Sequence, residues 1–93
     1  MDFRYSLEMS LSREEFFRLL PAAVGAFQAD GELVQWVEQG RDWTIRVVPL
    51  PDLRLGSAAI PRHRVEIVLE RCSEAEGAAF LERFHRAFLR GGG

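Results

Sequence analysis

The residues of this sequence that could perform chemistry form no catalytic or metal-binding pattern. The single cysteine, Cys72, lies directly before a predicted helix, and the positive end of a helix can lower the pKa of a thiol. No sequence pattern pairs this cysteine with a base, so we interpret it as a small apolar residue at the helix start. The cysteine therefore predicts no nucleophilic catalysis.

The histidines and carboxylates give no stronger signal. His63 and His85 lack clustered Cys, Asp or Glu at ligand spacing, so no metal site is predicted. Glu66 and Glu70 share a strand face and could do acid–base work, but nothing near them in the sequence requires it, and we interpret both as solvated. The sequence also lacks nucleotide-binding loops, catalytic-triad orders and dinucleotide fingerprints. We therefore expect no enzyme, no cofactor and no bound metal.

Composition predicts one small soluble domain. The 93 residues, 47% apolar and 28% charged, fit a single domain over 1–93, with 91–93 as a flexible glycine tail. A net charge of −2 supplies no basic field for nucleic acid or membranes. No apolar run approaches the ~20 residues of a membrane helix, and the N-terminus lacks the order of a signal peptide. With a single cysteine and no internal disulfide, these features favour a cytoplasmic protein.

The basic residues are unusual in type, because all twelve are arginine. Codon bias in a GC-rich, bacterial-like genome would produce this composition. Selection for planar, bidentate guanidinium contacts would produce it as well. Composition alone does not separate these two explanations.

Apolar periodicity predicts the elements that position these side chains. The predicted strands are 2–9, 32–39, 43–48 and 62–71. One helix is predicted to begin at Ser12 and another to run from Ser73 to Arg90, each opened by a capping box. Pro21 lacks the N–H that a helix needs, so the first helix is expected to be kinked or split there. The segment 50–60 is apolar but bounded by prolines, and we expect a loop.

The element order β-α-β-β-β-α predicts an α+β fold. Two apolar helices and half-apolar strands are best buried in a two-layer sandwich, with a four-stranded, mostly antiparallel sheet and both helices on one face. The pairing of the first strand stays open at this point. A single first helix would return the chain parallel to that strand, whereas a helical hairpin could make it antiparallel.

The sheet face opposite the helices is the most informative predicted surface. It carries apolar residues among charges of both signs, which suits contact with another protein. The apolar 50–60 loop is a second contact candidate. The candidate interface residues are Arg46, Val48, Leu53, Leu55, Arg64, Glu66 and Val68. We expect a small non-enzymatic interaction module whose partner is a second copy of itself, a homodimer formed through the open face or the 50–60 loop.

Two element orders resemble known folds. The order from Ser12 to Arg90 resembles that of double-stranded-RNA-binding domains, whose last helix starts with basic residues, whereas this helix starts with Glu74 and Glu76. Acidic residues there repel phosphate, so nucleic acid is the least favoured partner. A strand, a broken helical pair, further strands and a long C-terminal helix resemble the helix-grip fold of lipid- and hormone-binding proteins. That resemblance implies an alternative function, the binding of a small apolar ligand between sheet and C-terminal helix, although four strands leave little room for the ~300 Å³ that a ligand needs.

Overall fold

The computed structural model describes residues 1–92 of the chain. Its elements are β1 (Phe3–Met9), α1 (Arg13–Leu19), α2 (Pro21–Val24), β2 (Gln28–Asp30), β3 (Leu33–Glu38), β4 (Arg41–Leu55), β5 (Ala58–Leu69) and α3 (Glu74–Gly92). The last residue of the predicted glycine tail, Gly93, lies outside the described residues. Within residues 1–92 no helix has both the length and the apolar character needed to cross a membrane.

The strands form one antiparallel sheet in the order β1-β5-β4-β3-β2. The α+β class and the antiparallel sheet are confirmed, but the predicted number of four strands is wrong, because the sheet has five among the residues that the structure describes. The additional strand is β2, whose three residues are all exposed. So short a strand, without a buried face, leaves no period-two signal in the sequence. β1 lies at one edge and pairs antiparallel with β5, which resolves the pairing that the sequence left open.

The first helix is split at Pro21, as predicted. α1 ends at Leu19, and Pro21 occupies the first turn of α2, where a missing N–H costs no helical hydrogen bond. Gly25 then adopts a φ of 71°, a left-handed value that glycine reaches without strain. This residue ends α2 and directs the chain into β2.

One face of the sheet is covered by the helices and forms the core. Trp43, Ile45 and Val47 of β4 are buried, whereas the residues between them are half-buried or exposed. Trp36 of β3 is also buried, and its ring stacks on Phe80 of α3 with the centroids 5.5 Å apart. The apolar face of α3 therefore packs on the alternating apolar residues of the strands, as the sequence patterns predict.

The start of α3 is fixed by a complete capping box. Ser73 Oγ accepts the N–H of Glu76, and the N–H of Ser73 donates to the Glu76 carboxylate, both at 3.1 Å. Arg41 of β4 binds the same carboxylate at 2.8 Å. One turn further on, Gly77 lies so close to β1 that an added Cβ would overlap the ring of Phe3. α3 therefore packs directly on the edge strand.

β4 and β5 extend beyond the rest of the sheet. β4 pairs with β3 only as far as Arg46, and β5 pairs with β1 only from His63 onward. Residues 49–62 continue as a two-stranded ribbon, which we call the arm. The arm turns at Gly56, whose φ of 61° suits the first central position of a type II′ hairpin turn. The prediction of a loop over 50–60 is therefore wrong, because the prolines and an irregular register hide the alternation by which strands are recognised.

Candidate interaction face

The side chains that point away from the helices form the second face of the sheet, which we call the helix-free face. Buried Val47 points to the helices, so its neighbours Arg46 and Val48 point the other way. Residues paired across antiparallel strands share a face, and Arg46 pairs with Glu66 while Val48 pairs with Arg64. The structure thus brings together five of the predicted interface residues: Arg46, Val48, Arg64, Glu66 and Val68.

A bulge in β4 places the arm leucines on this same face. Leu50 pairs with Arg62, and the next pair is Leu53 with Ile60, so β4 advances by three residues where β5 advances by two. The extra residue reverses the alternation of β4 from that point on. Ile60 and Arg62 both belong to the helix-free face of β5, and Leu53 and Leu55 therefore belong to it as well. The open face and the 50–60 segment, predicted as alternatives, are one continuous surface.

Apolar side chains follow this surface from the arm into the sheet, and we call the set Val48, Leu50, Leu53, Leu55 and Ile60 the apolar stripe. Leu55 is 58% exposed and Leu53 is 39% exposed. Val48, Leu50 and Ile60 are half-buried. Contiguous exposed apolar groups rimmed by polar residues are typical of protein contact sites.

Charges of both signs flank the apolar stripe. Arg64 Nε lies 3.2 Å from Glu66 Oε2, and an Arg46 guanidinium nitrogen lies 3.8 Å from a Glu32 oxygen. Arg62 Nε donates to the carbonyl oxygen of Pro51, inside the bulge, at 3.1 Å. Ion pairs at such solvated positions contribute little to folding stability, so these charges are free to exchange partners at an interface.

Prolines interrupt the two backbone edges of the arm. The N–H of Val47 donates to the carbonyl oxygen of Glu32 beside β3 at 2.8 Å, so the odd-numbered residues of β4 before the bulge turn their backbone groups away from β5. Pro49 is one of these residues, and the same alternation turns Pro61 of β5 away from β4. Because proline has no N–H, neither edge offers another strand an unbroken row of donors. A partner must therefore contact the arm mainly through side chains.

The cysteine and the two histidines first considered for chemistry lie away from this face. His63 is buried on the helix side, with Nδ1 3.0 Å from the carbonyl oxygen of Leu11. Cys72 is buried, and burial raises the pKa of its thiol, with the nearby Glu76 carboxylate adding to the effect. His85 is exposed on α3. Within residues 1–92 no group of three or more His, Cys, Asp or Glu could hold a metal ion.

Open clefts lie on the helix-free side of the sheet at two places. One, of about 500 Å³, lies where β2 begins and β3 ends, lined by Phe27, Val37 and Asp42 among others. The second, of about 370 Å³, lies beside β1 and includes Arg4 and Glu66. Neither cleft lies between the sheet and α3, where the ligand of a helix-grip protein is expected.

Leu50 and Ile60 belong to the apolar stripe although sequence reasoning did not single them out. Their signal is present in the spacing of the leucines, since Leu50, Leu53 and Leu55 are three and then two residues apart. A strand with one extra residue produces this spacing, and Pro51 lies within it. The spacing becomes interpretable only when the register of the opposite strand is known.

No known protein family, no curated protein and no solved structure matches this chain.

Proposed function

We propose that this protein is a small non-enzymatic interaction module that forms a homodimer through its helix-free face, with the arm as part of the contact. One observation carries the proposal: the β4 bulge aligns Leu53 and Leu55 with Val48 on a single exposed surface. A bulge leaves one residue unpaired in the ladder and changes the direction of the side chains that follow it.

The arm itself favours a role in contact. A two-stranded ribbon alone is marginally stable in water, because one pair of strands buries little apolar surface. All the residues from Pro51 to Ala59 are exposed. Packing against another molecule would bury Leu53 and Leu55 and supply the stabilisation that the arm lacks.

A second copy of the chain fits the helix-free face because a two-fold contact requires a surface that complements itself. This face provides both apolar groups and charges of both signs. Arg46 and Glu66 lie side by side on it, so each can meet the opposite charge of a symmetry-related copy. The proposed contact is therefore an apolar stripe against an apolar stripe, with charged pairs at its rim.

No observation favours the alternative, a binder of small apolar ligands between sheet and α3. Aromatic rings fill that space: Phe80 lies 5.5 Å from Trp36 and 5.8 Å from Trp43 between ring centroids. Nucleic-acid binding gains no support either, because the helix-free face mixes both signs of charge.

Sedimentation equilibrium of single-residue variants tests the proposal. At high micromolar concentration we expect Leu55→Glu and Val48→Glu to have half the mass of the native chain, because each buries a carboxylate in the apolar contact. Leu89→Glu is the matched control, since Leu89 is 78% exposed on α3, away from the face, and its mass should equal that of the native chain. A native chain that stays monomeric, or a native mass in both Glu variants, would contradict the proposal.

A further inference from the structure

β1 is the one long strand of the described sheet whose free backbone edge is uninterrupted. Its pairing with β5 runs through all seven residues, Phe3 to Met9, without a register shift. The strand contains no proline, whereas the edges of the arm carry Pro49 and Pro61. β2, at the opposite edge, has only three residues. An open edge of this length is a template for another strand.

The direction of the β1 backbone groups follows from the ladder. The odd-numbered residues of β5 point to β1, so the residues opposite them, such as Tyr5 opposite Ile67, exchange hydrogen bonds with β5. Arg4, Ser6 and Glu8 therefore turn their backbone N–H and C=O groups to the free edge. These three residues are exposed.

We propose that β1 pairs antiparallel with β1 of a second copy about a two-fold axis at Ser6. In that register Arg4 lies opposite Glu8 of the second copy, Ser6 opposite Ser6, and Glu8 opposite Arg4. Opposite charges directly across an antiparallel pair are stabilising, and here both pairs form at once. Neighbouring two-fold registers lack this match, because centring on Arg4 or on Glu8 sets like charges against each other.

Within one chain these two charges are weakly engaged. Arg4 contacts Asp2 at 3.9 Å, and Glu8 contacts Arg62 at 3.7 Å. The Arg4 side chain is 72% exposed and the Glu8 side chain is 63% exposed. Both are therefore free to meet a cross-strand partner at closer range.

The helix side of β1 supports the same register. The register centred on Ser6 sets Tyr5 opposite Leu7 of the second copy, and Phe3 opposite Met9. Tyr5 is 38% exposed, and the other three side chains are half-buried. Aromatic–aliphatic pairs across strands are favourable, and pairing covers the remaining exposed apolar area.

The result is one continuous ten-stranded sheet in which both helix-free faces lie on the same side, since antiparallel partners share a face. The edge contact uses the backbone of β1 and the side chains of Arg4 and Glu8, not the apolar stripe, and it does not rest on that proposal. If both contacts form and their two-fold axes intersect at right angles, the assembly closes as a tetramer. The edge alone gives a dimer.

Sedimentation of variants with exchanged charges at Arg4 and Glu8 tests the edge contact. These variants are made in a Val48→Glu/Leu55→Glu background, in which the face contact is disabled. We expect a dimer in this background. Arg4→Glu or Glu8→Arg should raise the dimer Kd by at least about tenfold, because two pairs become like-charged. The combination Arg4→Glu/Glu8→Arg should restore dimerisation, which loss of folding cannot explain. A monomeric background, or the same Kd in the single and combined variants, would overturn the proposal.

The same series in the native background distinguishes the two proposals. If the face proposal alone fails, Val48→Glu and Leu55→Glu keep the native mass while the charge-exchange pattern persists. Residue-resolved hydrogen exchange gives a second readout of the edge. The amides of Arg4, Ser6 and Glu8 should become protected as protein concentration rises, while those of Tyr5 and Leu7 are protected at all concentrations. Unprotected edge amides at high concentration would also overturn the edge contact.

Discussion

Single residues decide how closely α3 approaches the sheet, and Gly77 is the clearest case. In an exposed helix, glycine-to-alanine changes stabilise by roughly 0.5–1 kcal/mol. At Gly77 the new Cβ would overlap the Phe3 ring. We therefore predict that Gly77→Ala lowers the free energy of unfolding by about 1–3 kcal/mol, measured by urea denaturation. Combining it with Phe3→Val should recover part of this loss, whereas a stabilising effect of Gly77→Ala alone would contradict the packing described.

The Glu76 carboxylate makes the stability of the fold depend on pH. The backbone N–H of Ser73 and the guanidinium of Arg41 hold the pKa of Glu76 below its ordinary value. A carboxyl whose pKa is lower in the folded state stabilises the fold above its unfolded pKa, and this contribution is lost as pH falls through the folded pKa. Between about pH 6 and about pH 3, unfolding free energy should fall less in Glu76→Gln than in the native chain. Arg41→Gln, which removes only the guanidinium partner of Glu76, should give a slope between those of the native chain and Glu76→Gln. Equal slopes for all three proteins would refute this role.

At the scale of elements, the arm shows how edges are kept from pairing. Pro49 and Pro61 face outward, so replacing both with threonine should preserve the sheet while restoring N–H donors to each edge. We predict that Pro49→Thr/Pro61→Thr aggregates faster than the native chain as protein concentration rises, measured by light scattering. The free energies of unfolding of the two proteins should be equal. Ala58→Thr, which raises β-propensity at a position paired with Leu55, is the control and should not aggregate faster. Equal aggregation rates would show that the prolines do not protect the edges.

The elements also show what the sequence could predict. Strands with one apolar face, such as β1 and the first half of β4, display clean alternation, and the N-cap residues Ser12 and Ser73 mark the helix starts. β2 escaped prediction because three exposed residues carry no pattern. The arm was not predicted as a pair of strands because its bulge changes the phase of alternation between Leu50 and Leu53. Such a change can be recognised only when the pairing with the opposite strand is known.

For the molecule as a whole, the candidate face was predictable in composition but not in extent. Strand alternation alone predicts that Val48, Val68 and their charged neighbours lie on this face. Leu53 and Leu55 continue the same surface because of the register between β4 and β5. This register depends on pairing between residues that are distant in the sequence. The bulge therefore joins the arm and the sheet into one continuous surface, the proposed contact.

Exchange of two neighbouring residues in the arm tests whether the arm leucines belong to this contact. Leu53→Arg/Arg54→Leu keeps the composition and the bulge but turns a leucine to the other side of the arm, because successive side chains of a strand point to opposite faces. Arg54→Leu, which leaves Leu53 in place, is the matched control and should keep the native mass. By sedimentation equilibrium, the exchange variant should have half the mass of the native chain, as Leu55→Glu does, with an unfolding free energy close to that of Arg54→Leu. An exchange variant that keeps the native mass would show that the arm leucines lie outside the contact.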